Sequence, residues 1–105
     1  MEWPCMSYGE AIDAALAWLK VSGVSHLDEA FEARSGAFGM RTLDGGSGYR
    51  LEFDSRVGAH INIWHHHTKG PHFIFPGNEG DVKAKWRQLF LWDNIKWRSE
   101  LDSEV

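Results

Sequence analysis

The stretch from Gly48 to Pro76, GYRLEFDSRVGAHINIWHHHTKGPHFIFP, constrains this chain more than any other. Successive side chains of a β-strand point to opposite faces, so a two-residue alternation sorts residues by side of the sheet. Tyr49, Leu51 and Phe53, then Ala59, Ile61 and Ile63, then Phe73 and Phe75 form one set, all apolar or aromatic. The interleaved set is Arg50, Glu52 and Asp54, then His60, Asn62 and Trp64, then His72 and Ile74. The pattern predicts three antiparallel strands with one face buried and the other open. Asp54-Ser55-Arg56-Val57-Gly58 supplies an Asx-type opener and a glycine, the chemistry of a tight hairpin turn. Pairing symmetric about that turn sets Glu52 opposite His60 and Arg50 opposite Asn62. The next turn, around residues 66–70, is expected to set His72 opposite Trp64. A one-residue slip would invert the faces of a whole strand, so burial of the apolar set specifies the facing.

The flanking sequence reads as helices around this sheet. Ser7-Tyr8-Gly9-Glu10 has the form of a capping box opening a helix that runs to about Lys20. That helix presents Ile12, Ala15, Leu16 and Leu19 on one side, and Gly23 follows as a stop. A second short helix is expected from Leu27 to Arg34, with Leu27, Ala30 and Phe31 inward, followed by a first strand from Ala37 to Leu43. Asp44-Gly45-Gly46-Ser47-Gly48 is a turn. Pro76-Gly77-Asn78 opens a closing helix with Val82, Trp86, Leu89 and Phe90 at helical spacing, after which Trp92, Ile95 and Trp97 are available to pack back. Residues 1–6 read as a loose lead-in interrupted by Pro4, and 98–105 as a frayed acidic tail. The expected architecture is a single α+β domain over 1–105. It has N-terminal helices, a four-stranded antiparallel meander sheet and a C-terminal helix.

Composition narrows the function classes. The 105 residues suffice for one modest core, and the six tryptophans imply a core or interface built on large aromatics. The single cysteine, Cys5, has no internal disulfide partner and no His or Asp at a spacing that would make it a catalytic thiol. No run approaches the roughly 18 apolar residues of a membrane span, and the N-terminus lacks a basic region followed by a long apolar run. A soluble, cytoplasmic chain with no membrane partner is therefore expected. The net charge of −4, with basic residues scattered along the chain, excludes a high-affinity, sequence-independent DNA binder. It leaves room for a locally positive cleft.

One resemblance covers much of the chain. Gly48, Tyr49, Arg50, Glu52, Phe53 and Asp54 are followed by Gly58 to Trp64, then by Lys69 to Phe73, Phe75, Gly77 and Asn78. Gly39-Met40-Arg41-Thr42-Leu43-Asp44-Gly45 precedes them. Over residues 36–90 this joint pattern resembles the C-terminal domain of Rhs-type and related contact-dependent bacterial polymorphic toxins. The resemblance implies a small ribonuclease of the barnase/EndoU/colicin/RelE-like type. Such a domain acts on RNA (tRNA among the candidates) in the cytoplasm of a target cell, and a cognate immunity protein restrains it.

Read with that resemblance, the polar strand face carries the parts that metal-independent RNA cleavage needs. These are a base for the 2′-hydroxyl, an acid for the leaving 5′-oxygen and cations around the phosphorane. Glu52 and His60 on adjacent strands supply a base and acid pair, and Arg50 a bidentate phosphate clamp. His72 is a second acid–base group, Lys69 a phosphate contact, Asn62 an orienting donor, and Trp64 a ring on which a base can stack. No cofactor is called for. The plainer reading makes these residues cross-strand ion pairs on a solvated sheet face, with Asp54 a turn former. A second class of function is a non-enzymatic protein-binding module with an inactive toxin-like fold. A third is a metal site on His65-His66-His67. That run falls in a hairpin, with no CxxC, HExxH or carboxylate cluster to complete it, and reads as a solvated turn without a metal.

Overall fold

The alternation over 48–76 folds into a central hairpin. Strand β4 (Ser47–Asp54) pairs antiparallel with β5 (Gly58–His65), with Arg50 opposite Asn62 and Glu52 opposite His60. Asp54 makes the expected Asx turn, its Oδ1 accepting the Arg56 N–H at 2.7 Å. Tyr49, Leu51, Ala59, Ile61, Ile63, Phe73 and Phe75 are all buried, as the alternation requires, whereas Phe53 at the hairpin end is 38% exposed. The structure is a computed structural model and describes residues 1–89. Phe90, the packing expected of Trp92, Ile95 and Trp97, and the tail at 98–105 lie outside the described residues.

The sheet around that hairpin is not the expected four-stranded antiparallel meander. Its seven strands also include β1 (Glu2–Pro4), β2 (Glu29–Glu32), β3 (Phe38–Arg41), β6 (Thr68–Lys69) and β7 (His72–Ile74). They lie in the order β1-β7-β5-β4-β3-β2, with β6 beside β5. The sheet is mixed, because β1 runs parallel to β7 while the other pairs are antiparallel. Helix α1 (Tyr8–Val21) precedes β2 to β7, and a second helix, α2, occupies 79–89. The broad α+β character stands; the strand count, the connectivity and the number of leading helices do not.

Each departure has a local cause. The helix expected over Leu27–Arg34 is the edge strand β2. A helix of two turns is marginal by itself, whereas β3 offers a row of unpaired backbone groups. Pairing satisfies those groups, closes the 33–37 turn through Ala33 N–H to Ala37 O at 2.8 Å, and sets Glu29 against Arg41 at 2.9 Å. Residues 2–4 of the expected lead-in are captured in the same way by the outer edge of β7. His72 N–H donates to Met1 O and Cys5 N–H to Ile74 O, both at 2.7 Å, and the Trp3 ring sits 5.7 Å from Phe73. Pro4 is tolerated because it stands on an edge strand, where a missing N–H costs little. The third expected pairing also moves. Trp64 lies opposite Lys69, and β7 registers with Ile74 against His60, so His72 is not opposite Trp64.

Both helices cover the apolar face. Ser7 caps α1 by accepting the Glu10 N–H, and Glu10 reaches back to the Met6 N–H. Ala11, Ala15 and Leu19 recur every four residues and are fully buried, the two alanines allowing a close approach to the sheet. Leu16, expected inward, is 44% exposed. Asn78 and Asp81 cap α2 reciprocally, at 2.8 and 2.9 Å. Val82 is fully buried, and Trp86 Nε1–H donates to Leu51 O at 2.9 Å. With both helices on this side, the other sheet face stays open.

Candidate functional site

The open face is read most simply as two rows crossing the strands. Phe31, Gly39, Arg50 and Asn62 stand in register across β2, β3, β4 and β5, and Arg41, Gly48, Trp64 and Lys69 form the next row across β3 to β6. Two residues further along the hairpin, Glu52 faces His60. A groove of about 890 Å³ runs over this surface. All seven expected site residues line it: Arg50, Glu52, His60, Asn62, Trp64, Lys69 and His72.

Glu52 is the hub. Its Oε1 lies 3.5 Å from Arg50 Nε, its Oε2 lies 3.8 Å from His60 Nε2, and Asn62 Nδ2–H donates to Oε2. The Glu52 side chain keeps 23% of its surface open and Arg50 keeps 38%, whereas His60 keeps 5%. His60 Nδ1 lies 2.9 Å from Gly58 O; a carbonyl only accepts, so this nitrogen carries the proton and Nε2 is the one turned toward Glu52. On its other side the His60 ring stacks on His72, with centroids 5.2 Å apart and planes at 24°. His72 is exposed. Partial burial of its ring, followed by the His60 imidazole and the N-terminal ammonium, holds its pKa below the ordinary histidine value against the pull of Glu52 and Glu2.

Two buried polar atoms in this cluster have no hydrogen-bond partner among the described residues, Arg50 Nε and Asn62 Oδ1. Arg50 Nε is close enough to Glu52 for an ion pair but lacks hydrogen-bond geometry. Such atoms are costly in a folded chain unless something meets them. Both atoms are enclosed by the cluster itself and have no surface open to the groove.

The rest of the face continues outward from Arg50. Its guanidinium lies 5.9 Å from the Trp64 ring, Trp64 meets Phe31 edge-on at 5.8 Å, and Arg41 sits 4.6 Å over Phe31. Phe31 and Arg41 are not among the residues the sequence singles out, because the helix expected over Leu27–Arg34 turns Phe31 inward. The sequence carries little signal for Phe31, since Glu29-Ala30-Phe31-Glu32 does not alternate between polar and apolar, and its strand state comes from pairing with β3. The triple histidine ends β5 at His65 and turns at His66 and His67. His65 Nδ1 lies 2.7 Å from Ser47 Oγ, and His66 takes a φ of 54°. Among the described residues, no three His, Cys, Asp or Glu side chains come together as a metal site, and no helix is long and apolar enough to cross a membrane.

No family model matches this chain, and no curated protein matches it.

Proposed function

We propose that this chain is a toxin-type ribonuclease domain that cleaves RNA by general acid–base transesterification on its open sheet face. The observation that carries the proposal is the run Arg50–Glu52–His60–His72, in which each member touches or stacks on the next at the floor of one open groove. Glu52 takes the proton of the 2′-hydroxyl as O2′ attacks phosphorus. The P–O5′ bond breaks, and protonated His72, the solvent-reaching imidazole, gives its proton to the departing 5′-oxygen. The products are a 2′,3′-cyclic phosphate and a 5′-hydroxyl. Arg50 faces the charge that builds on the phosphorane oxygens, and Lys69 extends the positive rim. His60 is too enclosed to reach the leaving group. It acts as a positioning residue, held by Gly58 O and wedged between Glu52 and His72.

The reading is tested by incubating the protein with total RNA in EDTA and mapping product ends. Cleavage with 2′,3′-cyclic phosphate ends, lost on Glu52→Gln and His72→Ala, supports it. RNA that remains intact at equimolar protein overturns it and favours the non-enzymatic binding module. In the toxin setting, the immunity partner covers this face with carboxylates complementary to Arg41, Arg50 and Lys69. Expression of the chain alone should then be lethal and be rescued by that partner.

A further inference from the structure

The outer part of the same face has a geometry that acid–base chemistry does not use. Strands β2 and β5 are three positions apart in the sheet, roughly 14 Å at about 4.8 Å per spacing. Their side chains Phe31 and Trp64 nonetheless meet at 5.8 Å. They can do so because Gly39, the β3 neighbour of Phe31, and Gly48, the β4 neighbour of Trp64, put no side chain on this face between the two rings. A Cβ on Gly39 would lie 1.9 Å from Tyr49 O, and one on Gly48 would lie 2.4 Å from Met40 O. No side chain fits either position. The two glycines leave a trough into which the flanking rings lean at 86° to one another, forming an L-shaped corner.

We infer that this corner is a stacking subsite for an unpaired nucleobase, and hence that the substrate class is single-stranded RNA. The inference rests on the nuclease reading above and extends it. Trp64 Nε1–H is bonded to Gly45 O at 3.1 Å, which fixes the indole and uses its one donor within the chain, so any recognition here is through ring surface. Arg50 beside Trp64 places a cation where a phosphate flanking a stacked base would lie, while Arg41, paired with Glu29, covers one face of Phe31 and leaves the corner to the other ring surfaces. Trp64 stands four residues from His60 along β5, about 13 Å at about 3.3 Å per residue. The base held there therefore lies on the same strand face as the scissile phosphate, at a distance that one RNA strand spans. Recognition through ring faces is tolerant of sequence but requires an unstacked base, which a duplex does not present.

The test separates binding from cutting. A fluorescent single-stranded oligonucleotide carrying 2′-O-methyl groups throughout cannot be cleaved by 2′-hydroxyl attack, so its anisotropy reports the subsite alone. Wild type should bind it more tightly than the same strand in a duplex. Phe31→Ala should weaken single-strand binding about 5- to 140-fold, the range for losing one base–aromatic stack. Phe31→Leu keeps apolar bulk without a π-face and should also lose most of that affinity while melting like wild type, so folding defects cannot mimic the result. Equal affinity for strand and duplex, or unchanged binding by Phe31→Leu, overturns the subsite. If wild type binds through Phe31 but leaves unmodified RNA intact, the nuclease reading fails and the subsite stands. If it cuts RNA while the Phe31 variants bind unchanged, the subsite fails alone.

Discussion

Glu52→Gln is the substitution that separates a reaction centre from a solvated ion-pair cluster. Gln keeps the shape and an oxygen for Asn62 Nδ2, and removes the charge shared with Arg50 at 3.5 Å and His60 at 3.8 Å. Two unit charges 3.5 Å apart attract by about 5 kcal/mol at an effective dielectric near 20. Both side chains remain partly open to water, which screens the pair to roughly 1 kcal/mol net. Over 105 residues, an unfolding entropy of about 2.1 cal/mol/K per residue turns that into a Tm loss of about 4–5 °C. Removing a general base costs about 10²- to 10⁴-fold in rate, or roughly 3–5.5 kcal/mol of barrier. The catalytic loss is thus several times the stability loss, and the two readouts part company. Initial cleavage rates in EDTA and thermal melts on the same samples measure both. Cleavage within about threefold of wild type removes Glu52 from the base role. A collapse of Tm by more than about 15 °C alongside lost activity makes Glu52 a structural anchor instead.

Four further outcomes follow from the packing and electrostatics. As the acid, His72 must be protonated, so cleavage should fall as pH rises through a value below the ordinary histidine range, and a rate that keeps climbing to about pH 8 refutes that role. The same depressed pKa means the unfolded chain takes up the proton first, so the stability contribution of neutral His72 is full above about pH 6.5 and is lost as pH falls below it. Melts of His72→Asn against pH should show a shallower acid slope than wild type, with His60, Glu52, Glu2 and the N-terminal ammonium as the charges that face the ring. Phe73→Ala empties the centre of β7, where the ring is 2% exposed, and should cost about 3–5 kcal/mol in urea unfolding. Gly58→Ala meets no atom within 4 Å but must hold a φ of +89°, so it should cost about 1–2 kcal/mol from backbone strain alone; a variant as stable as wild type contradicts that turn geometry.

The facing of the central hairpin was legible because alternation is a local property: within each strand, Tyr49, Leu51 and Phe53 and then Ala59, Ile61 and Ile63 follow one another by two, and burial rewards only one orientation. The same logic brought Glu52 opposite His60 without coordinates. Register across the longer connection was not legible. Lys69 pairs with Trp64 in β6, Gly70-Pro71 interrupts the ladder, and β7 resumes two residues away from the expected alignment. That even shift leaves His72 on the polar side, stacked beside His60.

Residues 1–6 and 27–34 show where local reasoning ends. Their own propensities suggest a loose segment and a short helix, yet the exposed edges of β7 and β3 convert them to strands by completing backbone hydrogen bonds. From its sequence alone the chain specified a two-faced hairpin with carboxylate, guanidinium and imidazole groups on one side. The tertiary structure decided that Phe31 would cross two glycines to meet Trp64, that β1 would hold the His72 strand, and that His60 would be enclosed while His72 faced water. Those outcomes depend on which sheet edges lie unpaired and how closely strands approach, and such quantities exist only once distant segments have met.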